Sequence, residues 1–284
     1  MEKQYSFELF PPKTEKGMEK LKAVVTELNK LEPAYFSVTY GAGGSTRERT
    51  FAAVDWLRDQ GIDTAPHLSC IGADSDELLD ILNRYRNQGI RRIVALRGDL
   101  PSGAGLGGTG QFNYANELVA FINANFPGVF HIEVAAYPEF HPQAATAQQD
   151  LDNFKRKVEA GAQGAITQYF YNADAYWRFL EDCAKREISI PIVPGIMPIT
   201  NYVNLARFSD ACGAEIPRWL RKRLEAYGDD RESLFSYGVE VVTALCGTLL
   251  AGGAPGLHFY TMNQSAAVKA IWNGLGLDGG AAAA

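Results

Sequence analysis

Tyr5-Ser6-Phe7-Glu8-Leu9-Phe10, followed by Met18, Leu21, Val24, Val25, Leu28 and Leu31, sets the pattern of the chain. The first run is short and β-rich and reads as a strand. The second set recurs at the 3.6-residue period of a helix with one apolar face. The unit then repeats. Tyr35–Tyr40, Thr64–Leu68, Ile93–Leu96, Val129–Ala135, Ala165–Phe170, Ile190–Pro194 and Leu257–Tyr260 read as further strands. Most are spaced by roughly 30 residues, the length of a strand–helix–strand unit. Gly61 and Gly89 fall where helices should end in a left-handed turn. The last two strands stand about twice as far apart, and extra helices over Pro217–Tyr227 and Arg231–Ala251 fill the interval.

Eight strands alternating with helices predict an α/β fold, a (β/α)₈ TIM barrel. A doubly wound open sheet has the same periodicity and is the rival architecture. The chain has 284 residues, close to the size such a barrel needs, and no Pro/Ser-rich linker divides it. We therefore read one domain over residues 1–278 and a low-complexity tail at 279–284.

A net charge of −6 argues against nucleic acid as the main partner, because a phosphate-tracking surface needs a basic excess. The four cysteines, Cys70, Cys183, Cys212 and Cys246, are scattered without metal-ligand spacing. They read as buried thiols of a reducing, cytoplasmic protein with no metal site. The start of the chain runs directly into a strand pattern, which leaves no room for a signal peptide. The uncharged run Val241–Leu257 is broken by Gly247, Gly252, Gly253, Pro255 and Gly256. It reads as a buried helix and a turn rather than a membrane span.

Polar residues collect where the strands end, which in an α/β barrel is the functional rim. Glu8, Thr39, Tyr40, His67, Arg97, Asp99, Tyr137, Glu139 and Gln168 all lie at or just beyond these ends. Taken singly, Thr39, His67 and an Arg97–Asp99 pair have structural explanations. Glu8 does not, since burying a carboxylate costs several kcal/mol unless it is paired or neutralised. Such a group suits general acid work.

Gly103-Ala104-Gly105-Leu106-Gly107-Gly108 matches a dinucleotide fingerprint in letters only. No strand leads directly into it, so it reads as a loop over the rim. A second polar cluster, His141-Pro142 and Asp150 to Lys157, reads either as a solvated helix face or as a clamp for a diphosphate and a ribose. Arg156 and Lys157 would then serve the phosphates and Asp150 the hydroxyls.

The order of these segments resembles the methylenetetrahydrofolate reductase family. The matching motifs are Phe7-Glu8-Leu9-Phe10-Pro11-Pro12-Lys13, Ser37-Val38-Thr39-Tyr40-Gly41-Ala42 and Ala65-Pro66-His67-Leu68-Ser69-Cys70. Ile93-Val94-Ala95-Leu96-Arg97-Gly98-Asp99-Leu100-Pro101 is the strongest. Ala136-Tyr137-Pro138-Glu139, Ala165-Ile166-Thr167-Gln168-Tyr169-Phe170, Pro194-Gly195-Ile196-Met197-Pro198 and His258-Phe259-Tyr260-Thr261 follow in order. The resemblance covers residues 4 to about 277 and is to the short bacterial form.

The resemblance implies FAD at the barrel mouth, NADH or NADPH as reductant and 5,10-methylenetetrahydrofolate as acceptor. It implies Glu8 as general acid and Asp99 beside flavin and pterin. It places Thr39, Tyr40, Ala42, His67, Arg97, Gly98, Asp99, Tyr137, His141, Ala144, Asp150, Asn153, Arg156 and Lys157 around FAD. Gln168, Phe208, Asn204 and Gln264 would meet the substrates. Two of these depart from the family pattern: Gln264 stands where many relatives carry Arg, and Asn204 where they carry Gln. A homo-oligomer is a further implication. Two other readings compete with this one. A barrel lyase or aldolase would want a Schiff-base lysine at a strand end, and no assigned strand ends in Lys. A non-catalytic flavin or folate binder would have no need of a buried acid.

Overall fold

A computed structural model describes residues 3–40, 44–98 and 110–277, and of 44–46 the backbone alone. The strands and helices alternate in the expected order: β1 (Gln4–Leu9), α1 (Glu15–Asn29), β2 (Tyr35–Val38), α2 (Gly44–Asp59), β3 (Thr64–Ser69), α3 (Ser75–Asn87), β4 (Arg92–Leu96), α4 (Ala115–Asn125), β5 (His131–Ala136), α5 (Ala147–Glu159), β6 (Gly164–Thr167) and α6 (Ala173–Ala184). The chain continues through β7 (Ile192–Val193), β8 (Gly195–Ile196), α7 (Tyr202–Cys212), α8 (Arg218–Tyr227), α9 (Arg231–Ala251), β9 (Gly256–Tyr260) and α10 (Ala266–Gly274).

All pairings are parallel, in the order β7-β6-β5-β4-β3-β2-β1-β9-β8. Neighbours in space are neighbours in sequence, with no reversal of strand order, so the open doubly wound rival is excluded. The two outermost strands, β7 and β8, are separated only by Pro194. Residues 192–196 therefore act as one stave that closes the barrel, β7 pairing with β6 and β8 with β9. Pro194 has no N–H to give, which splits the stave, but its carbonyl accepts from His258 N at 3.0 Å. The expected strand Ile190–Pro194 is thus shifted by two residues towards Ile196 and broken at Pro194. The helices expected after it are found as α8 and α9, and α7 is an additional one.

Local chemistry sets the boundaries. Thr14, Asp74, Thr146, Asn172, Asn201 and Asp230 cap helices with side-chain oxygens. Gly61 and Gly89 take φ values of +72° and +74°, the left-handed turns anticipated at the ends of α2 and α3. By length and composition α9 could cross a membrane. Here it packs on α6, α8 and α10 and buries Leu234, Val242, Leu245 and Leu249.

Two cores result. The larger lies between sheet and helices and includes Phe7, Leu21, Val25, Phe36, Phe259 and Trp272. The smaller, inside the barrel, is built on Tyr35, Ala65, Val94 and Ile166.

Candidate active site

The β pleat turns alternate residues of β1 to opposite faces. Phe7 and Leu9 join the outer core, so Glu8 between them faces the barrel interior. Its side chain keeps 19% of its surface open, at the mouth of the barrel. Glu8 Oε2 lies 3.4 Å from His67 Nε2 on β3 and 3.7 Å from His258 Nε2 on β9. Its neighbours are thus two imidazoles. Burial pulls His67 down to about 4, against the opposing pull of the Glu8 charge. At neutral pH His67 is therefore uncharged, and its contact with Glu8 is not a charged ion pair. His67 Nε2 is buried and has no hydrogen-bond partner among the described residues. Such an orphaned atom marks a place where a ligand can supply the missing bond.

The end of β4 brings in Arg97 and Gly98. Arg97 Nη2 donates to Gln143 Oε1 at 2.6 Å, which ties the β4 rim to the loop after β5. Gly98 has φ +88°, and a Cβ there would stand 1.8 Å from Ser69 Oγ. Only glycine fits, and the backbone it leaves bare can be approached closely by a ligand. Asp99 and Ala42 lie outside the described residues. Thr39 N donates to Leu9 O at 2.9 Å, and Tyr40 is half-buried beside it.

The cluster after β5 is assembled as a unit. The rings of Tyr137 and His141 meet edge-on at 4.6 Å. His141 N donates to Asp150 Oδ2 at 2.9 Å, and Ala144 N to His141 O at 2.9 Å. Burial raises the Asp150 carboxyl above its usual range. Arg156 Nη1 donates to Asn153 Oδ1 at 2.9 Å, and Arg156 is exposed. Lys157 behaves differently from its neighbours in the basic run. Three residues on from the buried Phe154, it shares that inward helix face and donates to the carbonyl of Ala135. Burial pulls its ammonium down to about 8. A cavity of about 220 Å³ opens beside this cluster, lined by Tyr137, Phe140, Asp150, Arg178 and Phe179.

Gln168 follows β6, where its backbone N–H donates to Ala136 O at 2.7 Å. Tyr169 Oη lies 3.1 Å from Ser209 Oγ, which docks α7 on the end of β6. On the same helix Phe208 is half-buried and Asn204 is exposed on the first turn. Gln264 is exposed on the loop after β9. Asn263 holds this loop to the end of β1 through two bonds with the Phe10 backbone, at 3.0 and 2.8 Å.

Sequence reasoning missed the groups beneath Glu8: Ser6, Ser37 and His258. The signal was available. Each is a polar residue on the inward alternation of a strand whose outward residues are Phe or Leu.

A closed parallel barrel with an interior acid at its mouth and cationic, aromatic and amide groups around the rim has the architecture of a barrel enzyme. The sequence profile of methylenetetrahydrofolate reductase matches residues 1–276. The 5,10-methylenetetrahydrofolate reductase of Escherichia coli K12 is 41% identical over 273 residues, covering 96% of this chain and 90% of the relative. That of Buchnera aphidicola from Schizaphis graminum is 42% identical over 275 residues, with 96% and 92% covered. A solved Clostridium thermocellum protein, described as binding two copies of 5-methyl-5,6,7,8-tetrahydrofolic acid, shares the fold with a TM-score of 0.66 at 17% identity, over 98% of this chain and 94% of that one. The chain belongs to the methylenetetrahydrofolate reductase family, oxidoreductases of one-carbon folate metabolism that reduce 5,10-methylenetetrahydrofolate.

Proposed function

We propose that the protein passes a hydride from NADH or NADPH, by way of FAD, to 5,10-methylenetetrahydrofolate, with Glu8 as the general acid. The observation that carries this reading is the Glu8 carboxylate, held inside the barrel mouth between two imidazoles. The rim residues fit FAD. His67 offers an unused ring nitrogen, Gly98 a bare backbone, Arg97 and Arg156 cations, and Tyr137 and His141 aromatic surface. Thr39, Tyr40, Ala144, Asp150, Asn153 and Lys157 complete the set that would hold it, with Ala42 and Asp99 outside the described residues. When bound, FAD would supply two-electron chemistry between nicotinamide and folate.

In this reading Glu8 protonates the folate ring nitrogen whose bond to the methylene carbon must open. Gln168 hydrogen-bonds the substrate, Phe208 packs against the bound ring system, and Asn204 and Gln264 lie towards its outer parts. We further read the chain as a cytoplasmic homo-oligomer whose catalytic domain spans residues 1–278. A lyase acting through a Schiff-base lysine has less support, because Lys157 is turned to the Ala135 carbonyl rather than to the barrel axis.

The test is Glu8→Gln in stopped-flow absorbance, each substrate mixed separately. General acid catalysis contributes about 10²–10⁴-fold. Flavin reduction by NADH should stay within about tenfold of wild type, while reoxidation by methylenetetrahydrofolate falls by about that larger factor. A parallel fall in both steps would make Glu8 a structural acid; no fall in either would place the proton elsewhere.

A further inference from the structure

Beneath Glu8 the barrel interior is polar where a parallel barrel is usually filled with branched apolar side chains. Strand register stacks it in rows. Ser6 is level with Tyr35 and His258, and Glu8 with Ser37 and Tyr260. His258 is completely buried. Its Nδ1 lies 2.7 Å from Ser6 Oγ, and its Nε2 faces Ser37 Oγ at 3.5 Å and Glu8 Oε2 at 3.7 Å. The ring of Tyr35, level with Ser6, stacks near that of His258 at 6.3 Å.

The imidazole of His258 is bracketed by a hydroxyl on one nitrogen and by Ser37 and Glu8 on the other. Two tautomers satisfy the 2.7 Å contact with Ser6, and in one of them the Ser6 hydroxyl donates to Nδ1. A neutral imidazole that accepts at Nδ1 carries its hydrogen on Nε2. That hydrogen is on the side of Glu8.

We propose that His258 is a positioning residue for folate reduction: Ser6 locks its ring so that Nε2–H donates to the carboxylate left on Glu8 as the acid gives up its proton. The proposal rests on the reading of Glu8 as the acid. In the proton-transfer step the Glu8 O–H bond breaks, an N–H bond forms on the folate ring nitrogen, and negative charge appears on Glu8. A donor aimed at charge that develops in the transition state lowers the barrier more than one matched to the ground state. The 3.7 Å separation belongs to the resting geometry, and such contacts tighten when the reacting complex forms. The other titratable groups facing Glu8 do not take this part. His67 on β3 has its Nε2 unpartnered among the described residues. Tyr260 on β9 donates its hydroxyl to Thr167 O at 2.7 Å, and Tyr35 on β2 lies one row lower, level with Ser6.

The test is the pH dependence of flavin reoxidation by methylenetetrahydrofolate in single turnover, using holoenzyme. A general acid loses rate as pH rises through its pKa. Without the His258 donor the carboxylate is less stable, so the falling limb should move to higher pH by about one unit. The plateau should drop by about 10–100-fold, the worth of a hydrogen bond to a charged group. His258→Leu should show both changes. His258→Gln, which keeps a donor near the Nε2 position, should recover most of each. Ser6→Ala removes one oxygen and serves if His258→Leu fails to fold; it should move the limb the same way, by less. In ligand-free protein, ¹⁵N NMR should find Nε2 of His258 protonated and Nδ1 bare at neutral pH. A limb unmoved in both His258→Leu and Ser6→Ala, or a proton on Nδ1, overturns the proposal. If Glu8→Gln leaves reoxidation intact, the acid assignment itself has failed, whatever His258 does.

Discussion

Three neighbouring strands carry two opposite chemistries on their two faces. Phe7, Phe36 and Phe259 share one row, face the helices and are fully buried. One residue to either side, the rows Ser6–Tyr35–His258 and Glu8–Ser37–Tyr260 face the barrel axis. The outer face is held by area removed from water and by ring contacts, Phe7 meeting Phe36 at 5.6 Å, Phe259 at 5.8 Å and Trp272 at 6.0 Å. The inner face is held by directional bonds between few partners. Apolar packing fills space and tolerates no cavity, whereas a polar interior stabilises little but dictates the orientation of each group. The lesson is a division of labour within single strands: stability outward, chemistry inward.

The largest expected effect breaks the outer face. Phe259→Ala empties a fully buried site beside Phe7, and large-to-small aromatic changes of this kind cost about 3–5 kcal/mol. Ser37→Ala, equally buried in the next row, removes only a 3.5 Å contact to His258 and should cost about 1 kcal/mol or less. Urea unfolding of the two variants checks the contrast. Similar losses would mean that the inner face also carries stability.

A pH-dependent effect sharpens the same contrast. His67 titrates near 4 in the folded protein against an ordinary 6.5, because burial penalises its charged form. Between those two pH values the unfolded chain binds a proton that the folded one does not. The contribution is therefore complete above pH 6.5 and is lost as pH falls towards 4, by up to about 3 kcal/mol. In His67→Gln, stability measured by urea midpoint should fall less steeply across this window than in wild type. Parallel profiles would show that His67 is freely protonated in the fold.

Much of this division was legible in the sequence. Alternation placed Glu8 opposite Phe7 and Leu9, and the succession of strands gave the barrel. The break at Pro194 was not legible, because a proline's effect on a strand depends on which neighbours must pair with the missing N–H. His258 was passed over because one polar letter within Leu257–Tyr260 looks the same whether it fills a core or serves a site. Lys157 was grouped with Arg156 by composition; its spacing of three from Phe154 was the better guide, since helix period decides which cation turns inward. The positions of Phe208 and Asn204 depended on the Tyr169–Ser209 contact, which joins residues 40 apart in sequence.

The smallest expected effect extends the comparison to a third environment, the water-exposed rim. Gln264 is the position at which the family resemblance implies an arginine. A buried charge-assisted bond would contribute about 1.5–3 kcal/mol, but Gln264 is exposed. An exposed pair between Arg and a carboxylate contributes about 0.2–1 kcal/mol and is screened by salt. The loop itself is well fixed. Gln264 N donates to Thr261 O at 2.9 Å, Thr261 Oγ1 to Glu8 O at 2.6 Å, and Asn263 clasps Phe10. Met262 and Asn263 hold φ values of +52° and +53°, so the side chain of residue 264 leaves a defined turn beside the Glu8 strand. Gln264→Arg should therefore lower the folate KM by a factor of about 1.5–5 at low salt. The gain should disappear at about 0.5 M salt, where the screening length is only a few ångströms. NADH oxidation by the flavin should not change. A gain that survives high salt would place the folate tail in a desolvated pocket against this loop. No gain at low salt would mean that the tail leaves the barrel mouth on another side, away from β9.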